Sequence, residues 1–177
     1  DIQVSFIGTY DRSRDPILEA IGWDNLNVWG DHWKRSPQIR RYENRIHAQA
    51  VFYFEFADII SHSKISLGLL RAEAEDRHTQ RTFEIPACGG FQIAPRNDEI
   101  RSFFKEDEEI VLYDSLDELK QKISFYLSHE PERKKIAAAG YKKVTTGYHS
   151  YIDRVQTMLK HAGLSFGSER KTVFQSA

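Results

Sequence analysis

The sequence lacks the features of several protein classes. Its single cysteine, Cys88, excludes an internal disulfide and any multi-cysteine zinc or iron–sulfur site, and it fits a reducing compartment. The longest apolar-leaning stretch, residues 48–57, is interrupted by Gln49 and Glu55 and falls short of the roughly 20 residues that a membrane helix needs. No signal peptide is recognisable. We therefore expect a cytoplasmic protein, either free or at the cytoplasmic face of a membrane.

The sequence also lacks an excess of charge of one sign. It has 25 Lys and Arg residues against 26 Asp and Glu residues, a net charge of −1. A general nucleic-acid binder needs a basic excess to contact phosphates, so we expect no nucleic-acid partner. The length of 177 residues and the 40% apolar and 29% charged shares are typical of one globular domain.

Several motifs of enzyme families are missing. Gly8 stands alone after the first predicted strand, so there is no G-x-G-x-x-G dinucleotide fingerprint, and there is no P-loop. The patterns H-E-x-x-H, G-x-S-x-G and Asp-x-Asp are also absent. The seven histidines are scattered, with no pair at i, i+4 spacing. These absences predict chemistry that needs no metal ion.

Short β-like runs alternate with helical stretches along the chain. This order implies βαβ units and a three-layer, Rossmann-like parallel sheet with helices on both faces. We assign residues 1–162 to this domain and residues 163–177 to a C-terminal tail, which is expected either to be mobile or to dock on another domain. The predicted strands are 2–9, 26–30, 46–51, 64–70, 91–95 and 110–113, and the predicted helices are 17–21, 53–62, 80–88, 115–127, 131–145 and 150–162.

The most informative segment is 76–90, which reads as a loop after a buried strand, a helix, and the helix stop Gly89-Gly90. In an open parallel sheet this loop lies at the carboxyl edge, where ligands bind. Backbone amides near Thr79 to Arg81 lie at the predicted helix N-terminus, which favours a phosphate. Glu84, one turn further on, can accept hydrogen bonds from two vicinal hydroxyls, such as those of a ribose.

This segment resembles the nucleotide-sugar-binding motif of GT-B glycosyltransferases of the group 1, family 4-like type. In that family a Glu-x7-Glu pattern is followed by Ala-Cys-Gly and a strand. Here Glu84 matches the second Glu, Asp76 replaces the first, and Ala87-Cys88-Gly89 follows. The run from Arg81 is closest to a subgroup that includes spore-maturation-like glycosyltransferases.

The resemblance covers about residues 2–160. It includes the first strand and loop, the tryptophan-containing segment after the second strand, the strand before the motif, and the closing helices. Two positions depart from the family pattern: Asp76 is a shorter acid than Glu, and Thr79 stands where many members have glycine.

The resemblance implies the donor-binding C-terminal half of a glycosyltransferase. Such a domain works with an N-terminal GT-B domain and transfers a sugar from a nucleoside-diphosphate sugar to an acceptor glycan, lipid or protein, without a required metal. The isolated domain is expected to be inactive. The implied catalytic residues are Asp76 and Arg81, and the implied donor-binding residues are Thr9, Arg12, Arg14, Thr79, Gln80 and Glu84.

Other interpretations remain open at this point. Arg12 and Arg14 are either exposed turn residues or ligands of a diphosphate, and Glu84 and Asp76 are either solvated acids or contacts to a sugar. Trp29 suits the core as well as base stacking. The substitutions at 76 and 79 favour a non-catalytic binding or interaction module derived from a transferase. A nucleotide-sugar epimerase using NAD has little support, because the glycine fingerprint is missing.

Overall fold

The computed structural model describes residues 2–71 and 75–164. Within these residues six strands form one sheet: β1 (Ile2–Ile7), β2 (Leu26–Trp29), β3 (Ile46–His47), β4 (Ser63–Leu67), β5 (Gln92–Pro95) and β6 (Val111–Tyr113). The same part of the chain contains seven helices: α1 (Asp15–Ile21), α2 (Tyr53–Ser61), α3 (Arg81–Ala87), α4 (Asp98–Phe103), α5 (Leu116–Ser128), α6 (Glu130–Thr146) and α7 (Tyr151–His161).

The strands are all parallel, in the order β3-β2-β1-β4-β5-β6. Val4 of β1 lies opposite Leu26 on one side and Ile65 on the other. This is the strand order of a doubly wound Rossmann sheet, in which two βαβ halves meet at the central pair of strands. The predicted α/β class, with a parallel sheet and helices on both faces, is confirmed.

The two faces of the sheet bury different side chains, because successive residues of a strand point to opposite faces. On one face the strands pack against α1, α5 and α6, through Leu18, Leu119 and Ile136 among others. The spacing of Leu119, Ile123 and Tyr126 puts these three side chains on one stripe of α5. Ser115 caps this helix by accepting a hydrogen bond from the Glu118 N–H at 3.1 Å, and the Glu118 carboxylate accepts from the Asp114 N–H at 2.8 Å.

The opposite face of the sheet is covered by α2 and α3 over the central strands and by α4 near β6. Ile7 and Trp29 pack against Phe56 and Ile60 of α2. Helix α4 is absent from the sequence prediction, although Asn97 caps it by accepting a hydrogen bond from the Ile100 N–H at 2.9 Å. An asparagine followed by two acids is a recognised start signal, so the sequence does carry evidence for this helix.

The chain divides into two compact units, residues 1–146 and 147–177. The first contains the sheet and α1 to α6. In the described part of the second, α7 begins with a capping box between Ser150 and Asp153, and none of its residues is buried. The predicted boundary at residue 162 stays a prediction, and residues 165–177 of the predicted tail lie outside the described residues.

An arginine directly after β5 pairs with three acids, one from the segment before β6, one just after β6 and one from α5. Arg96 pairs with Glu106 at 2.6 Å and with Glu118 at 2.9 Å, and it also pairs with Asp114. Hydrogen bonds from Arg96 and from the Asp114 N–H lower the pKa of Glu118 to about 2. The Arg96 hydrogen bond also holds the pKa of Glu106 below its ordinary value.

We expect Arg96→Met to lower the free energy of unfolding at pH 7 by about 2 kcal/mol, because three carboxylates lose their shared counter-charge. A lowered carboxyl pKa stabilises the fold above the unfolded-state value of 4.5, and this contribution is lost as the pH falls toward about 2. Urea titrations from pH 7 to pH 2.5 should therefore show the difference between variant and wild type shrinking below about pH 4.5. Lys105→Met is the control, since its side chain is exposed. A difference that stays constant over this pH range would contradict the interpretation.

Candidate functional site

The strand order places two connections side by side at the carboxyl end of the sheet. β1 and β4 are neighbours, and the chain continues from them to opposite sides of the sheet. Ligands of open α/β sheets bind outside the strand ends at such a switch point. The sequence-predicted residues Thr9, Arg12 and Arg14 lie in the connection after β1, Asp76, Thr79 and Gln80 lie in the connection after β4, and Arg81 and Glu84 lie in α3.

The start of the connection after β1 is fixed against the end of β2. The Gly8 N–H donates to the Trp29 carbonyl at 2.9 Å, and the Gly8 carbonyl accepts from Trp33 Nε1 at 2.8 Å. Gly30 has a φ of 146°, and a Cβ at this position would lie 2.1 Å from the Gly8 carbonyl oxygen. Trp33 is completely buried and Trp29 nearly so, which places both in the core.

Arg14 braces the two connections from inside the protein. Its side chain is buried, and it donates to the Thr9 carbonyl at 2.7 Å and to the Leu69 and Leu70 carbonyls at 3.4 Å. The guanidinium carbon lies 5.1 Å from the centre of the Phe6 ring. Burial lowers the pKa of Arg14. This geometry favours a structural role for Arg14. It does not favour the expected contact with a diphosphate, which stays a prediction.

Arg12 has the opposite orientation. Asp11 accepts hydrogen bonds from the Ser13 N–H at 2.9 Å and from the Ser13 hydroxyl, which lower the pKa of Asp11 and close a short 3-10 turn. Arg12 and Thr9 are exposed, and within the described residues the Arg12 guanidinium makes no hydrogen bond or ion pair. Of the two arginines in this turn, Arg12 is thus the one whose guanidinium is exposed.

The segment before α3 is attached to α4. The Asn97 side chain donates to the Arg77 carbonyl at 2.9 Å, and His78 Nδ1 lies 3.0 Å from the Glu99 carboxylate. The His78 ring packs edge-on against Phe103, with 5.1 Å between the ring centres. Asp76, which is exposed, lies 3.8 Å from the Arg71 guanidinium. His78 therefore has a packing role, and Asp76 points to solvent.

One of the backbone amides that the sequence predicts to be free for a phosphate already has a hydrogen-bond partner. The Thr79 N–H donates to the Thr82 hydroxyl at 3.2 Å, and the Thr79 carbonyl accepts from the Thr82 N–H at 3.0 Å. The prediction of free amides from Thr79 onward is therefore wrong for Thr79 itself. The threonine at 82 is buried, so this local bond is shielded from water.

Arg81 and Glu84 are brought into direct contact on α3. Their side chains form an ion pair across one helical turn, and both are only about a third exposed. The Arg81 guanidinium also lies 4.3 Å above the centre of the Phe56 ring of α2. A cation held between an aromatic ring and a carboxylate is oriented in advance, so it needs little rearrangement to meet an anionic ligand. The sequence singled out both residues but not their pairing.

Gln92 was missed by the sequence analysis, although it lies behind this pair. Its side-chain amide donates to the Arg81 carbonyl at 3.4 Å. Pattern alone gives a glutamine inside an apolar strand no particular meaning, so its relation to α3 becomes visible only in three dimensions.

The described residues offer neither a metal site nor a membrane-spanning helix. No group of three or more His, Cys, Asp or Glu side chains in them is placed to hold a metal ion. No helix among them has the length and apolar character to cross a membrane. A cavity of about 630 Å³ lies along the outer side of α2, next to Cys88, and none of the sequence-predicted site residues lines it.

Comparison with known proteins identifies the family. The family model described as glycosyl transferase-like matches residues 12–160. The chain belongs to this family. Spore protein CgeB of Bacillus subtilis is 32% identical over 127 residues, which are 66% of this chain and 37% of CgeB. The resemblance to GT-B glycosyltransferases seen in the sequence is therefore confirmed.

Solved structures of glycosyltransferases share the fold of this family member. HepE of Anabaena in complex with UDP-glucose has a TM-score of 0.69 and 13% identity, over 93% of this chain and 49% of HepE. The catalytic domain of the cholesterol-α-glucosyltransferase from Helicobacter pylori has a TM-score of 0.62 and 16% identity, over 82% of this chain and 98% of that one. The C-terminal domain of LpcC, a group 1 glycosyl transferase from Francisella tularensis, has a TM-score of 0.58 and 19% identity, over 82% of this chain and 86% of that domain. The chain spans 37% of CgeB and about half of HepE.

Proposed function

We propose that this chain is the donor-binding half of a GT-B glycosyltransferase, which transfers a sugar from a nucleoside-diphosphate sugar to an acceptor glycan, lipid or protein. The observation that carries the proposal is the Arg81–Glu84 pair, which lies on the first turns of α3 beside the switch point of the sheet. The cation suits a diphosphate and the carboxylate suits vicinal hydroxyls. Family membership and the UDP-glucose bound by HepE support this donor class.

The diphosphate is assigned to two cationic side chains. Arg12 reaches it from the connection after β1, and Arg81 reaches it from α3. As the bond between the sugar's anomeric carbon and the diphosphate oxygen breaks, negative charge grows on the leaving group, and fixed guanidinium donors stabilise it. Thr9 and Gln80, on the same two segments, supply further polar contacts. Arg14 contributes by holding the backbone of both segments in place.

Glu84 is assigned to the ribose of the donor. In the free protein the Glu84 carboxylate forms an ion pair with Arg81. When the donor binds, two ribose hydroxyls donate to Glu84 while Arg81 turns part of its fork toward the diphosphate. A ligand fixed at both its ribose and its diphosphate presents the sugar in one orientation, which lowers the entropic part of the barrier.

Asp76 is assigned to a hydroxyl of the transferred sugar. Its exposure leaves the carboxylate accessible to a ligand, with Arg71 as its present neighbour. The new bond forms between the anomeric carbon and an acceptor oxygen, and the acceptor's proton passes to a base on the N-terminal GT-B half. The charge stabilisation in this scheme comes from arginines, so the proposed reaction requires no metal.

The proposed partners follow from the same scheme. The acceptor site belongs to an N-terminal GT-B domain, and the location is cytoplasmic, at the face of a membrane when the acceptor is a lipid. Because this chain then holds the donor half of the site, we expect it to bind nucleotide weakly and to turn over little or no donor by itself.

Calorimetric titration with UDP, GDP and ADP tests the proposal. We expect one of the three to bind, and Glu84→Ala to weaken that binding about tenfold through loss of the ribose hydrogen bonds. Glu132→Ala is the matched control, because it removes an exposed acid on α6, away from the switch point, and should leave the affinity unchanged.

The titration also separates the proposal from its main alternative. If none of the three nucleotides binds, the chain is better described as a non-catalytic interaction module, an interpretation that Asp76 and Thr79 favour. Equal nucleotide affinity in the wild type and in Glu84→Ala would remove Glu84 from the site.

A further inference from the structure

Three polar side chains cross the centre of the sheet in register. Ser5 of β1 lies opposite Ser66 of β4, and Ser66 lies opposite Gln92 of β5. All three are at most 3% exposed, on the sheet face covered by α2 and α3. The Ser5 and Ser66 hydroxyls lie 3.1 Å apart, within hydrogen-bond distance. Apolar residues at these positions would pack as well without the cost of burying polar groups, so this row calls for an explanation.

Gln92 is the member of the row that reaches out of the sheet. Its Nε2 donates to the carbonyl of Arg81, the first residue of α3, at 3.4 Å. Its Oε1 is buried and has no hydrogen-bond partner among the described residues. The side chain thus leaves one polar atom unsatisfied while it contacts the start of α3, an arrangement that reduces stability.

The end of β4 makes room for this contact. A Cβ at Gly68 would lie 2.4 Å from Gln92 Nε2, so glycine at this position lets the amide lie flat against the strand. Helix α3 itself is short, with seven residues, and Pro86 removes one of its backbone donors. A helix this short has little stability of its own, and its first turn depends on outside contacts.

We propose that Gln92 is a positioning residue, which fixes the first turn of α3 and through it the Arg81–Glu84 pair. This role rests on the proposed function, in which the Arg81–Glu84 pair binds the donor. Gln92 touches neither nucleotide nor sugar, and it acts through the Arg81 backbone. The unsatisfied Oε1 of Gln92 then lowers the stability of the fold, while its Nε2 keeps the site in a defined geometry.

The test replaces Gln92 by methionine in the full 177-residue chain. Methionine has a similar length and flexibility but cannot donate to the Arg81 carbonyl. We expect an unchanged or raised midpoint of urea unfolding, because the unsatisfied oxygen is gone. We also expect amide hydrogen exchange at Thr82, Phe83 and Glu84 to accelerate at least tenfold, since their hydrogen bonds form the first turn of α3. The affinity for the nucleotide that the wild type binds should fall about fivefold.

Ser5→Ala is the control, since it changes the same polar row without touching α3. It should leave both the exchange of the three amides and the nucleotide affinity as in the wild type. A Gln92→Met protein with wild-type exchange at these amides would overturn the proposal. So would a lower unfolding midpoint with exchange accelerated evenly across the sheet, because that is the signature of a residue that only supports the core.

Amide exchange and nucleotide affinity together separate the role of Gln92 from the proposed function. Faster exchange with unchanged nucleotide affinity would overturn the link between Gln92 and the site. If the wild type binds no nucleotide, the donor assignment fails, and the exchange measurement alone decides whether Gln92 positions the pair.

Discussion

Arg81→Ala will weaken binding of the nucleoside diphosphate about 50-fold, the largest effect that we expect from any single change in the site. The substitution removes a cation that lies between Phe56 and Glu84. It also leaves the Glu84 carboxylate without its counter-charge, and this carboxylate then repels the anionic ligand. The loss should therefore exceed that caused by Glu84→Ala, which removes a ribose contact but leaves Arg81 in place.

A double-mutant cycle measures this coupling. Arg81→Ala, Glu84→Ala and the double variant are titrated calorimetrically with the nucleotide that the wild type binds. Because the two side chains are in contact, the double variant should bind more tightly than the sum of the two single losses predicts. Arg101→Ala, which removes an exposed arginine on α4, is the control for a general effect of charge. Additive losses, or an Arg81→Ala protein that binds like the control, would contradict the proposed role of the pair.

Gly30→Ala will lower the free energy of unfolding by about 4 kcal/mol, enough to unfold much of the protein. The added Cβ would lie 2.1 Å from the Gly8 carbonyl oxygen, and the backbone φ of 146° strains any residue with a side chain. Backbone cannot yield as a flexible side chain does, so β2 must move away from the connection after β1. The Trp33–Gly8 hydrogen bond is lost with this movement.

Gly22→Ala is the matched control for backbone strain. Gly22 also has a positive φ, of 85°, but a Cβ there would meet nothing within 4 Å. This variant should lose about 2 kcal/mol, from the backbone conformation alone, because a φ of 85° with a ψ of 141° is a conformation that suits glycine only. Urea titrations of both variants check the comparison. Similar losses in the two proteins would show that strain and not the contact with Gly8 determines the effect at position 30.

The predictability of the fold differed from element to element. The strand predicted at residues 64–70 is present as Ser63–Leu67, and the amphipathic helix after Ser115 is present as predicted. Both were recognisable, because burial on both faces and burial on one stripe leave clear patterns in the sequence. The strand expected at residues 46–51 has only two residues, Ile46 and His47. It lies at the edge of the sheet, where a strand pairs with one neighbour only. Helix α4 was missed, since its six residues are too short to show a helical period.

The candidate site was predictable in its residues and not in their contacts. The motif around Glu84 and the position of Arg12 after the first strand are features of the sequence, and in the structure Arg12 follows β1 and Glu84 lies on α3. The occupied amide of Thr79 depends on the buried hydroxyl of Thr82, three residues away. No pattern in the sequence indicates which way that hydroxyl turns.

Taken alone, the order of apolar and polar residues predicted a parallel α/β sheet, and the residues from Asp76 to Gly90 carried the resemblance to the family. These depend on periodicity and on local residue type, which are properties of the chain before it folds. Only the tertiary structure decided that Arg14 is a buried brace while Arg12 faces solvent, and that Gln92 contacts α3. Those assignments depend on contacts between separate elements of the fold, such as Arg14 with Leu69 and Gln92 with Arg81, which arise only when the strands pair and the helices pack on them.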